Sequence, residues 1–352
     1  MTIASGLFAV FMLLSTLLPL VRSDYWTFRA LEYPRLQKWV LLLIALIVWS
    51  SLAVVGAWLY WSVNAALIAA VLYLSYLIFP YLPIAPREMQ AVAAADKGDT
   101  YQQLSLLIAN VYQYNRHAQS LIDHVERLKP DLVFLLETDE WWREQLEKIR
   151  HRYPHHIEMP QENTYGLLFY SQLPIEAPEV RRLVEPEIPS IKCWIKLKSG
   201  QKVQLFGLHP KPPAPSESIR TTEKDQELLL IAEEAADCDA PVIVAGDLND
   251  VAWSYTTELF QKMSRLLDPR KGRGFFNTFP VKYPLMRFPL DHIFCSNHFR
   301  LVRLTRLGRI GSDHFPVFIQ LHCAQRHKDA QPTPTPDEED KALAAEKKNN
   351  KV

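Results

Sequence analysis

Val242-Ile-Val-Ala-Gly-Asp-Leu-Asn-Asp250 is the stretch on which the reading of this chain turns. A short apolar run, Val242–Ala245, opens onto Gly246 and then onto two side chains that carry oxygen, Asp247 and Asn249. An apolar run of this length bounded by a glycine reads as a buried strand. Polar residues just beyond a strand sit on loops that a rigid scaffold holds in place, and such loops carry function. Taken alone, Asp247 and Asn249 need be no more than an Asx-turn. The reading changes because the same pattern, a strand running out into polar groups, recurs along the C-terminal two thirds of the chain.

Leu104–Val111 is strand-like and carries Asn110 near its end. Ala118–Leu128 places Leu121, Ile122, Val125 and Leu128 at helical spacing, and Pro130 stops it. Leu132–Leu136 is a second buried strand, followed by Glu137. Gly166–Tyr170, Ile191–Leu197 and Val203–Gly207 are three more, the last leading to His209. Glu217–Ala236 has helical periodicity. Asp291 opens the strand His292–Cys295, and the turn Ser312-Asp313-His314 precedes the strand Val317–Leu321. Strands paired in sequence with helices dropped between them predict two sheets packed face to face and flanked by helices.

Together the groups at these strand ends supply what phosphodiester cleavage requires. A hard divalent cation takes oxygen ligands and keeps several waters. Glu137 offers a carboxylate, with the neutral oxygen of Asn110 beside it. Such an ion polarises a phosphoryl oxygen and stabilises the leaving oxyanion. His314, oriented by Asp291, is expected to take the proton of the attacking water. Asp247 and Asn249 are expected to align the nucleophile and the phosphate oxygens. His209 is expected to hydrogen-bond the phosphate or protonate the leaving group. Each residue taken singly also has a structural explanation, so the case rests on their joint occurrence and order.

That order resembles the endonuclease/exonuclease/phosphatase superfamily over residues 104–322. The resemblance is carried by Asn110, Leu136-Glu137, Gly207-Leu-His209, Gly246-Asp-Leu-Asn249, Leu290-Asp291 and Ser312-Asp-His314. Tyr165–Pro174 and Asn277-Thr-Phe279 resemble further family elements. It implies a DNase I-like, four-layered α/β-sandwich and Mg²⁺ or Mn²⁺ as cofactor. It further implies metal binding by Asn110, Glu137 and Asp313, and a catalytic set of His209, Asp247, Asn249, Asp291 and His314. Two positions depart from the family pattern. Tyr112 stands where abasic-site endonucleases often carry Asp, which weakens a DNA-repair reading. Leu136 replaces the usual Gln before the Glu and leaves the carboxylate intact.

The first 84 residues are of another kind. Their only charged residues are Arg22, Asp24, Arg29, Glu32, Arg35 and Lys38, all in one short stretch. Three uncharged apolar runs, 4–21, 39–61 and 65–84, are long enough to cross a bilayer as helices. Trp39, Trp58, Tyr60, Trp61 and Tyr81 lie near their edges, as interfacial residues do. The expected organisation is a membrane anchor over 1–84, a linker over 85–103, the catalytic domain over 104–324 and a polar, disordered tail over 325–352. The three runs predict an integral membrane protein, expected in the plasma (inner) membrane, and the positive-inside bias of the first loop puts the catalytic domain on the cytoplasmic side.

The whole chain balances 39 basic against 39 acidic residues, which does not suggest a strongly basic nucleic-acid binder. Cys193, Cys238, Cys295 and Cys323 form no C-x-x-C pair, which argues against a zinc knuckle or redox motif. The expected activity is hydrolysis of a phosphate ester, in a nucleic acid or a lipid headgroup, beside the bilayer and with no evident protein partner. The competing expectation is a membrane-tethered binding protein that kept the fold without catalysis.

Overall fold

The computed structural model describes residues 1–215, 217–324 and 331–349. Its N-terminal part is helical: α1 (Thr2–Leu17), a short α2 (Trp26–Ala30), α3 (Arg35–Leu52) and α4 (Ala57–Ile78). With its 3-10 extension to Val21, α1 is one of three helices among the described residues long and apolar enough to cross a membrane; the others are α3 and α4, the latter extended to Tyr81. They pack through Ala9, Met12, Leu42, Ala45, Trp49, Leu67 and Leu74, while Phe11, Ile47 and Leu72 stay exposed on their outer faces. The break between the second and third apolar runs falls at 53–56, not at the 62–64 loop implied by the sequence. Gly56 caps α4 in extended geometry. The polar residues at 62–64 are absorbed into the helix: Ser62 Oγ donates to Trp58 O (2.8 Å), and Asn64 Nδ2 donates to Tyr60 O (2.8 Å). Composition marks polar residues but does not show that their groups are satisfied one turn back.

The remainder is a sandwich of two mixed sheets with helices on both outer faces. Its elements in order are β1 (Gln103–Asn110), α5 (Ala118–Leu128), β2 (Leu132–Leu136), α6 (Glu140–Arg150), β3 (His155–Met159), β4 (Leu167–Ser171), β5 (Ile175–Arg181), β6 (Ser190–Lys196), β7 (Lys202–Leu208), α7 (Thr222–Ala236), β8 (Val242–Asp247), α8 (Tyr255–Ser264), β9 (Asp291–Cys295), β10 (Phe299–Arg306), β11 (Val317–Cys323) and α9 (Glu338–Asn349). One sheet runs β10-β11-β1-β2-β4-β3 and the other β5-β6-β7-β8-β9. Alternation within strands builds the layers. Leu106 and Ile108 of β1 face the core between the sheets with Phe134, Phe169, Ile191, Cys193 and Ile243, while Leu107 and Ala109 face α5 and α6. Burial on both faces is why these strands read as continuous apolar runs and not as alternating ones.

Phe134 is fully buried at the centre of that core and meets Phe169 edge-on at 6.1 Å. Phe134→Ala should lower stability by about 3–5 kcal/mol through lost burial and a residual cavity. Thermal denaturation of the detergent-solubilised protein measures this, and a loss under about 1 kcal/mol would contradict so tight a core.

Two segments differ from their expected character. Residues 85–103 are laid along the sandwich: Met89 and Val92 are buried, and Val92 N donates to Leu301 O (2.9 Å). Within the expected disordered tail, 338–349 forms α9, which docks on α7 and α8 through Ala344 and Leu343. Lys347 bonds Asp225 at 2.8 Å. A mostly polar segment gains a helix here because its few apolar residues and one lysine find partners far away in sequence. Positions 325–330 and 350–352 of that tail lie outside the described residues.

Candidate active site

The sheet registers bring the polar strand ends to one edge of the sandwich. Asn110 pairs with Leu136, the residue before Glu137, in parallel β1 and β2. Leu208, the residue before His209, pairs with Gly246 in parallel β7 and β8. Asp247 pairs with Asp291 where antiparallel β8 ends and β9 begins. Gly246 is needed for this approach: a Cβ there would lie 1.9 Å from Leu208 O. Glu137 (φ 57°) and Asn249 (φ 49°) both hold left-handed backbone, a conformation that costs a non-glycine residue roughly 1–3 kcal/mol and clusters at functional sites.

Glu137, Asp247, Asn249, Asp313 and His314 line one cavity of about 500 Å³. His314 Nδ1 donates to Asp291 Oδ2 (2.8 Å), and its Nε2 lies 3.5 Å from Asp247 Oδ2. Phe279 packs against the imidazole with ring centroids 4.8 Å apart. Thr278 Oγ1 accepts from Asp291 N (3.3 Å) and so fixes the start of β9. Burial pushes the His314 pKa down, but Asp291 and Asp247 outweigh it and hold the group up at about 10. The two carboxylates thus favour the protonated imidazole. Asp247 is raised, by burial first, against the pull of His314.

Asn110 lies behind the cavity. Its Nδ2 donates to Glu137 Oε1 (2.7 Å) and Asp247 Oδ2 (3.0 Å), while its Oδ1 accepts from Tyr112 N (3.0 Å). The sequence reading gave Asn110 an oxygen facing a metal. That oxygen is held by a backbone N–H, because two carboxylates facing the amide can only be met by its NH₂ group. Glu137 is raised to about 7, by burial first, against the Asn110 hydrogen bond and His314.

His209 is buried outside the cavity lining, with its ring 5.3 Å from that of Tyr165. Burial pushes it down to about 4, so it is neutral at pH 7 and poorly suited to protonating a leaving group. Its Nδ1 has no hydrogen-bond partner among the described residues. Asn249 N donates to Asp247 Oδ1 (3.0 Å) and Asn249 Nδ2 to Pro210 O (2.9 Å), which closes the turn after β8.

Among the described residues, three carboxylates, Glu137, Asp247 and Asp313, share the cavity with one cationic side chain, His314. A phosphate ester would add further negative charge, so the donor set fits a divalent cation held by oxygen. Asp247, Asp291 and His314 also bring one ligand atom each within 4.8 Å of one another. That trio is the poorer cage, because Asp291 and Asp247 favour the protonated imidazole, which has no lone pair to offer a metal.

The sequence reading missed the other wall of the cavity. Ala30, Tyr33 and Pro34, from the segment between α1 and α3, line it beside Pro212, Pro213 and Phe288. Tyr33 OH donates to Asn249 O (2.8 Å), and Trp253 Nε1 donates to Glu32 O (2.9 Å). At the end of α4, Tyr81 OH donates to Ala252 O (2.7 Å). The one signal available in the sequence was charge: four of the six charged residues in the first 84, Arg22, Asp24, Arg29 and Glu32, lie in that segment, and the other two, Arg35 and Lys38, open α3.

A family model described as the Endonuclease/Exonuclease/phosphatase family matches residues 107–314. Among solved structures, D. rerio TDP2 complexed with a single-strand DNA product is 18% identical, covering 62% of this chain and 98% of that one, with a TM-score of 0.51. An endonuclease/exonuclease/phosphatase family protein from Bacteroides thetaiotaomicron is 19% identical, covering 64% and 97%, with a TM-score of 0.50. The human Nocturnin catalytic domain with bound sulfate is 16% identical, covering 63% and 94%, also at 0.50. At these identities the likeness is one of fold. No curated protein matches the chain significantly.

Proposed function

The chain belongs to the endonuclease/exonuclease/phosphatase family, and from that premise we propose that it is a divalent-metal-dependent hydrolase of phosphate esters held at a membrane by α1, α3 and α4. The observation that carries the reading is the buried Asp291–His314–Asp247 array in the wall of a cavity that also presents Glu137 and Asp313. Glu137 and Asp313 would hold Mg²⁺ or Mn²⁺, which would offset the phosphate charge and stabilise the departing oxygen. Asn110 aligns Glu137 and Asp247 through its amide. Asn249 shapes the turn that presents Asp247. His209, neutral, offers at most one N–H to the phosphate.

The protonation pattern alters one expected role. A charged His314 cannot accept a proton, so Asp247 takes it from the attacking water. His314, held by Asp291, donates to a phosphoryl oxygen.

Bis(p-nitrophenyl) phosphate tests the reading without a choice of natural substrate. The full-length protein should release p-nitrophenol with Mg²⁺ or Mn²⁺, lose that activity in EDTA and regain it when the ion is restored. Activity unchanged in EDTA would refute the metal requirement.

The first loop and the sandwich touch, so they share one side of the membrane, as three crossings require. The basic residues of that loop support the cytoplasmic side. Digestion of the sandwich by protease added outside right-side-out vesicles would refute this placement.

A further inference from the structure

The cavity has two unlike halves. Its floor is ionic, with Glu137, Asp247, Asp313 and His314. Its walls are largely apolar, and among the described residues none of those lining it is Lys or Arg. A nucleic-acid strand is typically tracked by basic side chains along its phosphates. A group with one phosphate and a hydrocarbon matches this division better.

The apolar wall leads to the membrane-length helices. Ala30, Tyr33 and Pro34 line the cavity, and the next residue, Arg35, begins α3. On the facing side, Met286 lines the cavity and is also 46% exposed, which joins the interior to an outer apolar tip. That tip is the 3-10 turn Pro284–Met286, where Leu285 is 85% exposed beside exposed Tyr283. Gln37 Nε2, in the first turn of α3, donates to Leu285 O (2.8 Å). The tip is thus fastened where α3 would enter the bilayer. Exposed Lys282 flanks it, placed to meet a lipid phosphate, while Arg287 donates to Pro280 O and Val281 O.

We infer that the substrate is an amphiphilic phosphate ester, a lipid headgroup still attached to its hydrocarbon, which reaches the site from the bilayer beside α3. This rests on the hydrolase reading above and names its substrate class. The phosphate lies on the ionic floor and the first part of the chain lies along Ala30, Tyr33 and Phe288. Water oxygen bonds to phosphorus, the bond from phosphorus to the ester oxygen breaks, and that oxygen leaves with the electron pair and takes up a proton.

Chain-length dependence tests the inference. Full-length protein in dodecyl maltoside micelles with Mn²⁺ is given methyl, octyl and hexadecyl p-nitrophenyl phosphate, and thymidine 5′-(p-nitrophenyl phosphate). From methyl to octyl, kcat/KM should rise on the order of a hundredfold, about what three to four buried methylenes supply. Ala30→Trp, which fills the wall, and Leu285→Glu, which charges the tip, should each lower the octyl-to-methyl ratio roughly tenfold. Two variants at separate places keep the test decisive if one fails to fold. Equal rates for methyl and octyl, a ratio unmoved in both variants, or faster turnover of the thymidine ester than the octyl ester would overturn the lipid assignment. Failure to cleave any of the esters, with Mg²⁺ or Mn²⁺, would instead overturn the hydrolase reading.

Discussion

Asp247→Asn in the full-length protein should lower kcat on bis(p-nitrophenyl) phosphate by roughly a thousandfold, within the range that loss of a positioned acid or base produces. Asparagine keeps the shape and can accept from Asn249 N through its oxygen, which leaves its NH₂ facing the Asn110 amide donor, and it cannot take a proton from water. The fold should survive. The Asp247 carboxyl is raised by burial, so its ionised form is the one folding disfavours. For a carboxyl raised in the folded state, that penalty grows as pH rises past the unfolded value and is present at neutral pH. A neutral amide removes it. That gain opposes the lost Asn110 contact, so the melting temperature should change little while turnover falls. His314→Gln separates the two proton-handling roles: glutamine still donates a hydrogen bond, so a donor role predicts a smaller loss than Asp247→Asn. Equal turnover in Asp247→Asn and the parent protein would refute the proposed base, and a larger loss in His314→Gln than in Asp247→Asn would return that role to His314.

The sandwich and the order of its polar strand ends were legible because both are written locally. A strand buried on both faces is a run of apolar residues, and its exit is the next few letters. Glu137, Asp247, Asp313 and His314 could be read as polar strand exits from that alone, while their grouping into one site came from the resemblance to the family. The features that were not legible depend on partners distant in the chain. The orientation of Asn110 is set by Tyr112, Glu137 and Asp247 together. The protonation of His314 is set by two carboxylates on different strands. Residues 85–103 look like a linker because the Leu301 and Asp268 backbone groups that bind Val92 and Glu88 lie far along the sequence. Dividing the chain at the end of the apolar runs also separated the loop at 22–34 from the site it helps to build.

That loop supplies the second large effect. Arg29 is 1% exposed, and its Nη2 donates to Asp250 Oδ2 (2.8 Å) and Thr256 Oγ1 (2.7 Å). Lys224 Nζ meets the same Asp250 oxygen at 2.8 Å. Burial raises the Asp250 carboxyl, but Lys224 and Arg29 outweigh it and hold the group below its ordinary value. Asp250 follows Asn249, whose carbonyl accepts from Tyr33 OH at 2.8 Å. The membrane loop thus grips the turn that carries Asp247. Arg29→Met keeps much of the apolar stem but strands Asp250 and Glu32 with too little positive charge, and should cost about 3–5 kcal/mol of stability. Arg29→Lys should recover part of it, since one ammonium can replace one of the two Nη2 contacts but not the fork. Removal of residues 1–84 takes away Arg29, Tyr33 and the cavity wall at once. A fragment beginning at 85 should keep the two sheets, by circular dichroism, yet turn over bis(p-nitrophenyl) phosphate at least roughly tenfold more slowly, because a slightly misplaced catalytic group can cost about a hundredfold. If that fragment matched the full-length enzyme in kcat and in melting temperature, the anchor would be only a tether, and the contacts from Arg29 and Tyr33 would have no bearing on the site.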